Sequence, residues 1–266
     1  MEKVKLSIVI LTKNEEEMIE GCLRSAQGLG EVILVDDCSD DKTLKIARKY
    51  TDRIFVHKMK DFSSQRNFGL RKARGEWIFY LDADERLTPQ LRDEILSVVR
   101  NQESGIRNQS VGFLVKRRNF FLGKEMYPDK IHRLFLKKKL KGWRGKIHET
   151  PVFQGKVGEL KNPLIHLTHR NILSMLRKTL DWSEIEAEIR LKAGHPPVSW
   201  WRILRVMLTE CYHQFFQKKV WRFGTEGFIE GIFQIFSIFI TYARLWEKQR
   251  KESLKKTYER IEKIFG

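Results

Sequence analysis

The sequence predicts an α/β protein, with a Rossmann-like, mainly parallel sheet followed by a C-terminal helical region. Three observations carry this. Short β-branched runs alternate with helix-like stretches over the first hundred residues, and such alternation with short joins implies right-handed crossovers between parallel strands. Polar and acidic residues gather directly after those runs, at the strand ends where parallel sheets bind ligands. The last third of the chain is apolar at helical spacing.

The elements follow in order. "KLSIVILT" reads as a buried strand, and "NEEEMIEGCLRSAQGL" as a helix closed by Gly28 or Gly30. "EVILVDD" is the second strand, and "SDDKTLKIARKY" the second helix, with Ser39 or Asp40 as its N-cap. "DRIFVH", the helical "SSQRNFGLRKARG" and the strand "EWIFYLD" complete the alternation. From about residue 110 to 170 the pattern becomes short strands: "SVGFLVKRRNFF", "HRLFLKKK" and "LKGWRGKIHE". After Asn171, apolar residues at 172, 175, 176, 180, 185 and 189 mark a helix that "GHPP" ends. A further helix runs from about Ser199 to Gln217, and a long apolar segment begins at Thr225. The expected division is a catalytic domain over 1–170 and a helical region over 171–266.

Composition narrows the function. With 266 residues, 41% hydrophobic and 32% charged, the chain can bury a full core while keeping a highly charged surface. Its three cysteines are scattered without CxxC spacing, which argues against a disulfide framework or a zinc site and suits a reducing compartment. The opening "MEKVKLSIVILTKNEEE" has too short an apolar run for a signal peptide, so a cytoplasmic or cytoplasm-facing location is expected. The net charge is +17, and residues 116–146 hold twelve Lys or Arg against two acids. That density suits phosphate groups, nucleic acid or an anionic membrane surface, or is a solvated basic face. In the final segment, Ile232 to Tyr242 is too short to span a bilayer, and Glu230 and Gln234 interrupt the apolar run. Trp200, Trp201, Trp221 and Trp246, with nearby Lys and Arg, point to an interfacial anchor. A buried helix or an oligomer contact is the plainer reading.

The chemistry concentrates in "FYLDADERL". If the strand stays extended through Ala83, Asp82 and Asp84 point to one side and repel unless a cation lies between them. Two further clusters share that rim: Thr12, Asn14 and Glu15 after the first strand, and Asp36 and Asp37 after the second. A sugar nucleotide needs such groups. Carboxylates accept from base and ribose, and hard oxygen ligands hold a divalent cation on the diphosphate. In glycosyl transfer that diphosphate is the leaving group, and the acceptor hydroxyl needs a general base.

"LSIVILTKNEEEMIEGCLRSA", "VILVDDCSDDKT", "SSQRNFGLRKARGEWIFYLDADERL" and "IHE" closely resemble bacterial family 2 glycosyltransferases, inverting enzymes of the GT-A fold. "KGWRGKIHE" and "PLIHLTHRNI" most resemble the lipopolysaccharide core glucosyltransferase branch. The resemblance implies that Thr12, Asn14 and Glu15 meet the nucleoside, that Asp37 accepts from the base and that Asp36 supports the loop. Gln65, Arg66 and Asn67 would line the nucleotide-sugar pocket. Asp84 would bind Mg²⁺ or Mn²⁺ directly, Asp82 would serve ribose or metal, and His166 would add a metal ligand. Arg133 would contact phosphate or acceptor. Where many relatives carry a Glu-Asp pair for the base, this sequence has His148-Glu149. Glu149 is assigned the base and His148 the acceptor side, with Asp129 as competitor, and a salt-bridge role for Glu149 as the alternative.

The implied reaction moves a hexose such as glucose from a nucleoside diphosphate sugar, UDP by family habit, to a glycolipid such as lipopolysaccharide core. The site would be the cytoplasmic face of the inner membrane. Two other classes compete. A nucleotidyltransferase should show a Gly-rich loop with a following cation near the first strand, which "LTKNEEE" lacks. A nucleic-acid-binding protein would explain the charge, but acids on its ligand rim would repel phosphates.

Overall fold

The computed structural model describes residues 4–101, 110–146 and 149–265. His148 lies outside the described residues. The chain divides into two units, Met1–Phe120 with Tyr127–Thr168, and Phe121–Met126 with His169–Gly266.

In chain order the strands are β1 (Leu6–Thr12), β2 (Glu31–Asp36), β3 (Ile54–Val56), β4 (Trp77–Asp82), β5 (Glu85–Leu87), β6 (Gly112–Phe121), β7 (Lys124–Glu125), β8 (Asp129–Leu136), β9 (Leu140–Arg144), β10 (Thr150–Phe153) and β11 (Val157–Thr168). The first four helices are α1 (Ile19–Ala26), α2 (Thr43–Ala47), α3 (Phe62–Lys72) and α4 (Pro89–Asn101). The main sheet runs β3-β2-β1-β4-β8-β6-β11-β5. It is parallel from β3 to β4, as the alternating first hundred residues require. The short strands after residue 110 extend it antiparallel, β8 beside β4 and β6 beside β8. β9 and β10 form a separate antiparallel ribbon.

The continuous apolar run of β1 has a simple cause, since this strand is covered on both faces. Ile8 and Ile10 pack with Ile19, Leu23, Leu91 and Ile95 on one side. Val9 packs with Ile33, Ile78, Tyr80 and the α3 residue Phe68 on the other. The α3 helix sits close to the sheet because Gly69 has no side chain; a Cβ there would fall 2.3 Å from Val9 Cγ1. Register levels the strand ends, pairing Thr12 with Asp36 and Leu11 with Asp82. The three acidic or polar clusters therefore share one rim.

Local signals account for most boundaries. Gly28, at φ 76°, follows the last turn of α1, as expected of a helix stop. Asp61 caps α3 through a reciprocal pair of bonds with Ser64. The expected cap of α2 is corrected. Neither Ser39 nor Asp40 caps it; Ser39 Oγ accepts from Asn14 N at 2.8 Å and donates to Asp36, while Asp40 N donates to Asn14 Oδ1 at 3.0 Å. Asp41 instead accepts from Thr43 N at 2.8 Å. A strand-end loop competing for the same hydroxyl moved the helix start.

The second unit holds α5 (Ile172–Lys192), α6 (Trp200–Tyr212), α7 (Gly224–Lys248) and α8 (Leu254–Phe265). Asn171 caps α5 and Ser199 caps α6 through their side-chain oxygens. A π-helical turn, His213–Gln217, continues α6. Its small core gathers Ala187, Val198, Tyr242 and Leu245. Glu184 on α5 accepts from both Arg244 and Lys248 on α7.

Candidate active site

The rim is built from loops whose polar groups hold each other. Asp36, fully buried, accepts from Ser39 N and Oγ and so braces the loop after β2. Asp37 accepts from Lys13 Nζ at 2.8 Å and Met59 N at 2.7 Å. Asn14 adopts φ 51°, a left-handed conformation that asparagine tolerates in tight turns. Thr12 Oγ1 is buried without a partner among the described residues. Glu15 N donates to Thr43 Oγ1 at 2.8 Å, fixing the start of α1 to α2.

Of the three neighbours on α3, only Arg66 enters the acidic cluster. Gln65 is bound through both ends of its amide to His57. Asn67 exchanges bonds with the backbone of Trp143, at 3.0 and 2.8 Å. The three side chains part because consecutive helical residues do not share a face. Arg66 stacks over Trp143 at 4.9 Å and Tyr80 at 5.5 Å. From there it donates to Asp82 Oδ1 at 3.2 Å and to Glu149 Oε1 at 2.8 Å. Its Nη1 is buried and has no partner among the described residues.

Asp82 and Asp84 part company. β4 ends at Asp82, the chain turns through Ala83 and Asp84, and β5 begins at Glu85, so the extended geometry expected through Ala83 does not form. Glu85 Oε2 accepts from Asp82 N at 3.0 Å and holds the turn. Asp82 Oδ2 accepts from Arg133, which also donates to Glu85 Oε1 at 2.6 Å. Burial alone would raise the Asp82 carboxyl, but the Arg133 and Arg66 guanidiniums overcome it and hold the group far below the usual carboxylate range. Asp84 turns instead toward His166, whose Nε2 lies 3.3 Å from Asp84 Oδ2.

A relay fixes that histidine. Arg117 grips Asp129 through Nε at 2.9 Å and through Nη2. Asn119 Nδ2 donates to Asp129 Oδ1 at 3.1 Å and to the Tyr127 carbonyl at 3.0 Å. Its Oδ1 therefore accepts from His166 Nδ1 at 2.8 Å, which leaves Nε2 facing Asp84. An imidazole nitrogen and a carboxylate oxygen facing each other share a proton or a cation. One carboxylate and one imidazole are donors of a kind that Mg²⁺ or Mn²⁺ accepts, and a cation held there would need its remaining ligands from outside the protein. Asp82 Oδ1 and Oδ2 each accept from an arginine, and among the described residues no three His, Cys, Asp or Glu side chains gather around a cation position.

Glu85, Arg117 and Asn119 were not singled out from the sequence, although a signal was present. Alternation along "ERL" places Glu85 on the face of buried Leu87. The same period places Arg117 and Asn119 with buried Val115 on β6. Charged residues on an inward face mark a built polar cluster.

The family model described as glycosyl transferase family 2 matches residues 7–152, the segment that carries this rim. The chain belongs to glycosyl transferase family 2. A lipopolysaccharide core biosynthesis glycosyltransferase of Rhizobium meliloti (strain 1021), LpsC, is 25% identical over 261 residues, covering 92% of this chain and 93% of that protein. An uncharacterized glycosyltransferase of Rickettsia bellii (strain RML369-C) is 30% identical, covering 91% and 86%. The solved structure of S. aureus TarS 1–349 in complex with UDP-GlcNAc aligns at 14% identity and a TM-score of 0.46, covering 94% of this chain and 92% of that one. As a family 2 glycosyltransferase with a GT-A α/β fold, this protein is a transferase whose rim clusters lie at the strand ends where such sheets take their ligands.

Proposed function

We propose that this glycosyltransferase moves a hexose, glucose in the first instance, from UDP-glucose or a related nucleoside diphosphate sugar to a glycolipid, with inversion. One observation carries the reading: Arg66 joins the donor-side carboxylate Asp82 to Glu149, next to the Asp84–His166 pair. The LpsC relative, which matches nearly the whole chain, supports a lipopolysaccharide-core-like acceptor; work at the cytoplasmic face of the inner membrane is part of the same proposal.

The loops at Thr12, Asn14, Glu15 and Asp37 would seat the nucleoside, with Asp36 bracing them. Arg66 Nη1 and Thr12 Oγ1, buried and without partners among the described residues, are donors for the nucleotide sugar. Asp84 and His166 would hold Mg²⁺ or Mn²⁺, which supplies charge stabilisation to the departing diphosphate. Glu149, positioned by Arg66, takes the proton of the acceptor hydroxyl as its oxygen bonds to the anomeric carbon and the carbon–diphosphate bond breaks. Arg133 keeps Asp82 and Glu85 in place.

The test is a panel of nucleotide sugars with Mg²⁺, Mn²⁺ or chelator, and lipopolysaccharide core lipid as acceptor, with product anomeric configuration read by NMR. Glu149→Gln should slow transfer by about 10² or more while UDP affinity barely changes. Normal transfer by Glu149→Gln, together with loss in Asp129→Asn, would reassign the base. In calorimetry, Mn²⁺ should tighten UDP binding, and Asp84→Ala should remove that dependence. An Asp84→Ala protein that retains it would take Asp84 out of the metal site.

A further inference from the structure

The second unit leaves an unusual amount of apolar surface uncovered. Along α6 and its π-helical turn, Trp200, Leu204, Leu208, Tyr212 and Phe216 recur every fourth residue and all are exposed, Trp200 by 76%. Residues four apart form one stripe on a helix. Tyr212 and Phe216 stack on each other at 5.5 Å. On α7, Phe228, Ile232, Phe236 and Phe239 form a second exposed stripe at spacings of four, four and three. Phe215, beside Phe216, meets Phe228 edge-on at 5.4 Å, so the π-helical turn packs against the start of α7.

The cations that accompany this surface select its partner. Exposed Arg205 lies within the α6 stripe, and exposed Lys219 and Arg222 sit at the connection between the helices. Arg222 lies over the ring of exposed Trp221 at 5.4 Å, an amphipathic pair suited to headgroup depth. Two copies meeting on this face would bring those cations together. An anionic lipid surface neutralises them while the stripes enter the acyl boundary.

Length raises a rival, because Val220–Lys248 is long and apolar enough to cross a membrane, and only 22% of its most apolar 18 residues are buried. The expectation that this segment is too short is corrected: the helix extends well beyond Ile232–Tyr242. Its back argues against spanning. Arg244 and Lys248 pair with Glu184 of α5, and Arg244 also donates to the Leu180 carbonyl at 2.9 Å. A helix as charged as α5 cannot follow α7 into hydrocarbon. We infer that α6, its π-helical turn and α7 form a docking face that lies in the plane of an anionic bilayer, with the stripes immersed and Arg205, Lys219 and Arg222 on lipid phosphates.

This reading stands on the second unit alone and does not depend on the transfer reaction, so its test contains no donor or acceptor. Full-length protein is sedimented with vesicles of phosphatidylcholine alone or with about 30% phosphatidylglycerol. The anionic vesicles should retain it at low salt, about tenfold or more better than neutral ones, and salt should weaken retention. Brominated lipids should quench the tryptophan emission from shallow depth. Leu204→Glu with Leu208→Glu should cut retention at least about tenfold, with an unchanged melting profile because both positions are exposed. Lys219→Glu with Arg222→Glu should do the same should the first variant fail to fold. Wild-type protein left in the supernatant at low salt overturns the proposal, as does resistance to alkaline carbonate extraction, which marks a spanning helix. A dimer that Leu204→Glu with Leu208→Glu converts to monomer, without lipid binding in either form, assigns the face to a second copy instead.

Discussion

At the scale of single residues, the charge cluster is arranged around Arg133, which is 3% exposed and shared by Asp82 and Glu85. Burial works against its charge, and the two carboxylates more than restore it. Arg133→Met would leave two like charges buried together, so unfolding free energy in denaturant titrations should fall by about 3–5 kcal/mol. Adding Glu85→Gln should recover part of that loss. The same cluster fixes an acid response. The Asp82 carboxyl is depressed in the folded state, so its stabilisation is present above the unfolded value near about pH 4 and is lost as pH falls below it. Asp129 shifts in the same direction: burial opposes it, and the Arg117 bonds prevail. Burial pushes Glu85 the other way, so its contribution runs opposite to that of Asp82 and Asp129. The melting temperature should therefore drop steeply below about pH 4, and Asp82→Asn should flatten that drop. The acids of this cluster were legible from their place after a strand. Arg66 and Arg133 were singled out too, but their pairing with Asp82 was not legible, because they are 16 and 51 residues away and only the fold brings them in.

At the scale of elements, sequence patterning succeeded where one local rule governed. The run of β1, the start of α5 after Asn171 and the stop of α1 at Gly28, one of two glycines offered, each rest on neighbouring residues. It failed where two elements wanted one group. Ser39 suits an N-cap, yet the Asn14 loop takes it; Ala83 suits an extended strand, yet Glu85 turns the chain there to reach Asp82 N. The α3 helix gives an element-scale test. Gly69 lets it lie against Val9, so Gly69→Ala must push the helix off the sheet or distort it. A loss of about 1–3 kcal/mol is expected by denaturant titration. Because Arg66 sits on the same helix, UDP affinity should weaken in parallel. Unchanged affinity would show that the shift is absorbed without moving Arg66.

For the molecule as a whole, the family and the α/β architecture were readable because the motifs lie within one stretch, residues 7–152. The threading of the two units was not, since a composition shift near residue 170 suggests one clean boundary. The chain instead passes between units after Phe120, after Met126 and after Thr168. That path has a consequence for biosynthesis. During translation the segment Phe121–Met126 leaves the ribosome before the remainder of its unit, which begins at His169, has been made. It must wait, unpaired with its own unit, until the helices arrive. A nascent chain stalled just after Thr168 would therefore hold a completed first unit with one stranded loop, and should be open to protease at Phe121–Met126, a sensitivity that release of the full-length chain should abolish.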